Sequence, residues 1–250
     1  MSIIVKGQTI IGPKVPIVTD GLVLHFDSAN TRSYPGTGLV TNDMARLGET
    51  WQMTSNLAVS PSVNGAYIYP DDSSARYAIT ANAFALLSPT NTLTYDFWCW
   101  LAVPRNLSAS NLFNDLAQQN GTPYAWVGAN NSHLDIQYLR VTGGWSASSF
   151  SNYFVGNSNQ WVHVVVIVDY NAPLITAYKN GVMYSTPITP AAIRFPNSVS
   201  KKYMGAYQGN AVYNWVGKQA VGKVYNRALS ATEVLQNYNA LATRFINKNS

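Results

Sequence analysis

The sequence predicts an all-β domain of the sandwich class with one C-terminal helix. Three observations carry this. Short apolar runs recur along the chain between Gly, Pro and Asn turns, the spacing expected of a sandwich or barrel. Asn180-Gly181 stands between two strand-like stretches, a strong hairpin signal because both turn positions need positive φ. A helix start signal with helical periodicity behind it is found at Ser230-Ala231-Thr232-Glu233.

The elements follow in order. Residues 1–19 read as an N-terminal arm, with Ile3, Ile4, Val5, Ile10, Ile11, Val15, Ile17 and Val18 as its apolar positions. Gly7, Gly12, Pro13 and Pro16 break every run, so no helix fits and Pro restricts any strand to an edge. Such an arm either packs on its own domain or docks on a neighbour. The domain proper is expected over 20–250. Leu22, Leu24 and Phe26 share one face of a strand by period two. Residues 92–103 form the clearest central strand. There Tyr95, Phe97, Cys99 and Leu101 point one way and Thr94, Asp96, Trp98 and Trp100 the other. Bulk on both sides means that both faces are covered or that one lines a groove. Residues 161–170 read as another buried strand. Ser230 and Glu233 form a capping box, after which Val234, Tyr238, Leu241 and Phe245 follow at helical spacing, giving a helix at about 230–245.

Composition narrows the function. Charged residues make up 11% of the 250, well below the usual quarter. The surface must therefore be Ser, Thr, Asn, Gln and Tyr, as in many secreted, virion and glycan-facing β proteins. The 16 basic residues are scattered, which argues against a nucleic-acid partner. No apolar run approaches the ~18 residues of a membrane span. One cysteine, Cys99, allows no intrachain disulfide, and Met1 to Lys6 does not read as a signal peptide. The expectation is a chain made and folded in a reducing cytoplasm.

Several stretches resemble a known family. Trp161-Val162-His163-Val164-Val165, then Ile175 to Gly181, is similar to the core of laminin-G-like, concanavalin A-like lectin/glucanase domains. The run Gly222 to Ser230 with Glu233 resembles that family's closing strand and helix, and Leu93 to Leu101 one of its central strands. The opening Asp20 to Asn30, with Ser33-Tyr34-Pro35-Gly36, resembles the form found in tailed-bacteriophage virion proteins. Residues 42–51 depart from the usual pattern. The resemblance covers roughly 20–240 and implies a two-sheet antiparallel jelly roll, one sheet curved and bearing a groove.

Catalytic chemistry is not expected. Glycan-cleaving relatives use paired carboxylates on one strand, about 5 Å apart. This chain has two glutamates, Glu49 and Glu233, and no strand with alternating acids. Cys99 and His163 sit in buried-strand settings and read as core residues, His25 similarly; His133 reads as a solvated loop residue. No cofactor is expected. Asp71-Asp72 is the candidate for part of a calcium site, the alternative being a solvated turn. The seven Trp and 16 Tyr remain. Trp145, Trp215, Tyr207 and Tyr213 are the candidate glycan-stacking residues, and Tyr124 and Trp126 alternate on one strand face. The expected function is that of a non-enzymatic phage virion structural protein. It would decorate the capsid or associate with the tail, docking on other virion proteins through the arm or self-associating. The alternative is a glycan-binding module for host-surface attachment.

Overall fold

The computed structural model describes residues 4–5, 8–9, 15–46, 48–55, 57–60, 65–69, 77–86, 88–101, 110–116, 124–195, 199–205 and 215–246. The strands run β1 (Ile4–Val5), β2 (Gln8–Thr9), β3 (Leu22–Asp27), β4 (Val40–Asn42), β5 (Thr50–Met53) and β6 (Ala58–Ser60). Next come β7 (Ala66–Tyr69), β8 (Ala78–Thr80), β9 (Thr92–Leu101), β10 (Ser110–Leu116), β11 (Tyr124–Asn130) and β12 (His133–Leu139). They end with β13 (Trp145–Phe150), β14 (Trp161–Asp169), β15 (Leu174–Lys179), β16 (Val182–Met183), β17 (Lys201–Met204) and β18 (Gly217–Tyr225), followed by α1 (Ala231–Phe245).

Two antiparallel sheets make the sandwich. The first has the order β16-β15-β14-β9-β18-β7-β6, with β3 also paired to β18. Strand β18 is long enough to divide one edge: Gly217–Gln219 pairs with β7 and Val221–Tyr225 with β3. The second sheet has the order β13-β12-β11-β10-β17-β8-β5-β4. Between them lies one core that includes Phe26, Trp51, Tyr95, Phe97, Phe113, Ile136, Phe150, Val164 and Met204. The expected two-sheet fold with one helix is the fold observed.

The two faces of β9 divide as the alternation requires. Tyr95, Phe97, Cys99 and Leu101 enter the core. Thr94, Asp96 and Trp98 face the opposite way and are also buried. Helix α1 covers that outer face: Trp98 stacks on Phe245 at 4.4 Å and on Tyr238 at 5.7 Å between centroids. The central strand β9 is thus covered on both faces, by the core on one and by α1 on the other. The capping box forms as expected, with Glu233 N–H donating to Ser230 Oγ and Ser230 N–H to Glu233 Oε2. Asn180 and Gly181 both have positive φ, 52° and 81°, which closes the β15–β16 hairpin.

The arm needs correction at its C-terminal end. Ile17 packs against the cluster that includes Trp98, Val221 and Phe245, and Val18 is buried with Val165, Tyr225 and Val234. The Val18 amide donates to Asn237 Oδ1 at 2.8 Å, and its carbonyl accepts from Tyr225 OH at 3.0 Å. These two residues belong to the body, because two buried bonds and an apolar contact hold them there. Val15 is exposed. Strands β1 and β2, holding Ile4 and Val5, pair with each other; Ile3, Ile10 and Ile11 lie outside the described residues. Among the described residues no helix is long and apolar enough to cross a membrane.

Candidate functional site

The outer face of the second sheet is the surface that α1 leaves alone. Residues paired across neighbouring strands point to the same side, so the register defines what this face carries. One row crosses all eight strands: Ala147, Gln137, Trp126, Asn114, Tyr203, Ile79, Gln52 and Val40. Solvent exposure falls from both ends of this row toward its middle. Ala147, Gln52 and Val40 at the ends are exposed, Gln137, Tyr203 and Ile79 half-buried, and Trp126 and Asn114 in the middle buried. The side chains that reach solvent are the Tyr203 ring and the Gln137 and Gln52 amides, with Ile79 between. The Tyr203 ring lies 5.7 Å from that of Tyr77.

Polar groups continue the face toward the β13 edge. Asp135 pairs with Ser149, and its carboxylate accepts from Ser149 Oγ and from Gln137 Nε2 at 3.4 Å. Trp145 pairs with Leu139 at the start of β13 and is 45% exposed. The turn before it needs Gly143 and Gly144, both at positive φ, and Arg140 N–H donates to Gly144 O at 3.1 Å. Trp145 is therefore held at the rim by a tight hairpin.

The aromatic candidates do not all meet here. Trp145 is surface-exposed, as a stacking residue must be. Trp215 is not: it is fully buried in the main core, its ring edge-on to Phe154 at 6.2 Å, and its amide donates to Gly205 O at 2.7 Å. A ring sealed from solvent cannot stack on a sugar, so Trp215 is a core residue. Tyr207 and Tyr213, together with Asp71 and Asp72, lie outside the described residues. Among the described residues no three His, Cys, Asp or Glu side chains cluster as metal ligands would. Sequence reasoning missed Asn114, Gln137, Tyr77 and Tyr203. They come from different strands, and only the strand order places them together.

The buried titratable groups serve the fold. Asp96 lies between the first sheet and α1, with His163 Nε2 and Lys223 Nζ each 3.0 Å from Oδ1 and Asn237 Nδ2 donating to Oδ2 at 2.8 Å. Burial pulls this carboxyl upward, but the Lys223 ammonium and His163 outweigh it and hold Asp96 well below the ordinary carboxylate range. The network bolts the helix and Val18 to the sheet. Burial, then the Lys223 charge, pushes His25 down to about 4. Burial also pushes the Cys99 thiol well up, so it offers no thiolate nucleophile. His163 and Cys99 are core residues, as their strand settings indicate. His133 Nδ1 accepts from Asn152 N–H at 3.2 Å, so the ring is tied to the neighbouring turn.

Comparison with known proteins places this geometry. A family model described as the concanavalin A-like lectin/glucanases superfamily matches residues 72–235, and the chain belongs to that family. Solved structures share the fold at low identity. The receptor-binding domain of botulinum neurotoxin D is 13% identical with a TM-score of 0.62, covering 88% of this chain and 52% of that one. A neurotoxin D ligand-binding domain in complex with N-acetylneuraminic acid gives 13%, 0.62, 88% and 51%. The binding domain of botulinum neurotoxin DC in complex with rat synaptotagmin II gives 13%, 0.63, 89% and 52%. The chain spans about half the length of these structures. Curated protein sequences give no match.

Proposed function

We propose that this chain is a non-catalytic, lectin-like module that binds a cell-surface glycan along the outer face of its second sheet. The observation that carries this reading is the row from Ala147 to Val40. Sugars present apolar ring faces and many hydroxyls, and this row offers the half-buried Tyr203 ring with the Gln137 and Gln52 amides on either side, Trp126 and Asn114 lying sealed beneath. The exposed Trp145 at the rim supplies a further ring face. Two similar structures support it by analogy of fold, one in complex with N-acetylneuraminic acid and one with rat synaptotagmin II. The non-catalytic part is supported by Asp135, the one carboxylate among the face's described residues, which is already engaged by Ser149 and Gln137.

The test is binding to a broad glycan panel, followed by Trp145→Ala and Gln137→Ala. Each should weaken the best-bound glycan roughly tenfold, about 1.4 kcal/mol, without loss of fold. Unchanged affinity in both variants would exclude this face, and binding to no glycan would exclude the lectin reading.

A second reading, favoured by the N-terminal pair, concerns attachment. Strands β1 and β2 bond to each other and, among the described residues, to neither sandwich sheet. Their outer edges, unpaired among the described residues, suit addition to a strand of another subunit. This supports a domain carried on a virion, docked on capsid or tail proteins through the arm.

A further inference from the structure

We propose that a cleft beside the β5 and β8 strand ends, walled by Arg46, Gly48, Glu49 and Asn82, is a second binding site, specific for an acidic sugar: one carboxylate on a hydroxyl-bearing ring. The cleft holds about 380 Å³, at the small end of ligand sites and ample for one sugar residue.

Arg46 lines this cleft together with Glu49, and its charge also acts on the buried Asp43 carboxylate. The Arg46 guanidinium lies over the Phe84 ring at 4.0 Å. Its Nε–H is buried and has no hydrogen-bond acceptor, and no carboxylate among the described residues lies within ion-pair distance of it. A guanidinium stacked on an aromatic ring is held in one plane, and its planar fork fits a carboxylate with two parallel bonds. The Arg46 backbone is equally fixed, because its amide donates to Asp43 Oδ1 at 3.2 Å while Asp43 also holds the His25 and Ala45 amides.

The opposite wall selects what accompanies that carboxylate. Glu49 is 7% exposed, and its two oxygens are oriented by Asn82, whose backbone N–H reaches Oε1 and whose Nδ2 reaches Oε2, each at 3.0 Å. A carboxylate oxygen accepts more than one bond, so both retain capacity for a ligand hydroxyl. Glu49 also opposes a multiply charged anion such as phosphate, leaving a single carboxylate flanked by hydroxyl donors as the matched ligand. Gly48 keeps the third wall open, since a Cβ there would meet nothing within 4 Å.

The choice of a sugar as the hydroxyl-bearing group rests on the lectin reading; recognition of a carboxylate by Arg46 stands without it. The test uses three probes on the full chain, followed by amide NMR: glucuronic acid, glucose with the same ring but no carboxylate, and acetate with the carboxylate alone. Glucuronic acid should shift the Arg46, Gly48 and Asn82 amides and bind at least about tenfold more tightly than either control. Arg46→Met should abolish the difference between glucuronic acid and glucose, Arg46→Lys should lose part of it, and Trp145→Ala should leave it intact. Equal binding of glucose, equal binding of acetate, or an unaltered Arg46→Met response would each overturn the proposal. If the glycan panel fails on the sheet face while glucuronic acid still titrates the cleft, the sheet-face reading falls and this one stands.

Discussion

Gly222 shows how much one hydrogen atom decides in this core. It lies mid-strand in β18, opposite Phe26 on one side and Phe97 on the other. A Cβ placed there would overlap the Phe26 ring and meet Phe97 Cδ1 at 3.0 Å. Glycine in a strand interior costs stability by itself, and here it is needed for the close approach of a ring. Gly222→Ala should therefore destabilise the protein by about 3 kcal/mol, the upper range for overpacking. Urea denaturation checks this; a change near zero would mean that Phe26 moves aside freely. Gly222 was visible in the sequence only as part of a run similar to the family's closing strand. Its reason lies in two rings from β3 and β9, which no local pattern brings together. Trp215 shows the converse, since its Gly- and Asn-rich neighbours suggest an exposed loop while the ring is drawn into the core beside Phe154.

Elements were the most legible level. The β15–β16 turn and the start of α1 are set by local chemistry, namely positive φ at Asn180-Gly181 and the reciprocal bonds of Ser230 and Glu233. Arg227 adds to the cap by gripping both Glu233 oxygens, at 2.6 and 3.1 Å. These bonds, the Arg227 side chain first, hold Glu233 down to about 2. Ser230→Ala should cost about 1 kcal/mol through the lost N-cap bond. Thermal unfolding measures it, and an unchanged midpoint would show that Arg227 alone orders the first turn. The alternation along β9 was equally readable. What covers its second face was not, because that depends on where the chain sends α1, which begins at Ala231, far beyond the end of β9 at Leu101.

At the scale of the molecule, the body begins before the first large-sheet strand. Residues 15–19 are stitched to α1 and β18 through Val18, through Ile17 and through Gln236 Nε2, which donates to Pro16 O at 2.9 Å. Deleting 1–14 should leave the unfolding midpoint unchanged. Deleting 1–19 should lower stability by about 3–5 kcal/mol, since it removes a buried Val and leaves Asn237 Oδ1 without its donor. Equal midpoints for the two truncations would return residues 15–19 to the arm.

The strands at 22–27, 92–101 and 161–169, the hairpin, the helix and the absence of an alternating acidic strand were all determined by the sequence itself. Each depends on neighbours within a few positions, where backbone preference and side-chain alternation act directly. Sheet order, the covering of one sheet by α1 and the row from Ala147 to Val40 were decided by tertiary structure. That row draws one residue from each of eight strands spread over more than 100 positions, and the Arg46 cleft likewise joins two separate loops. Such groupings follow from which strands pair and in what register, a choice made by burying the whole core at once rather than by any local segment.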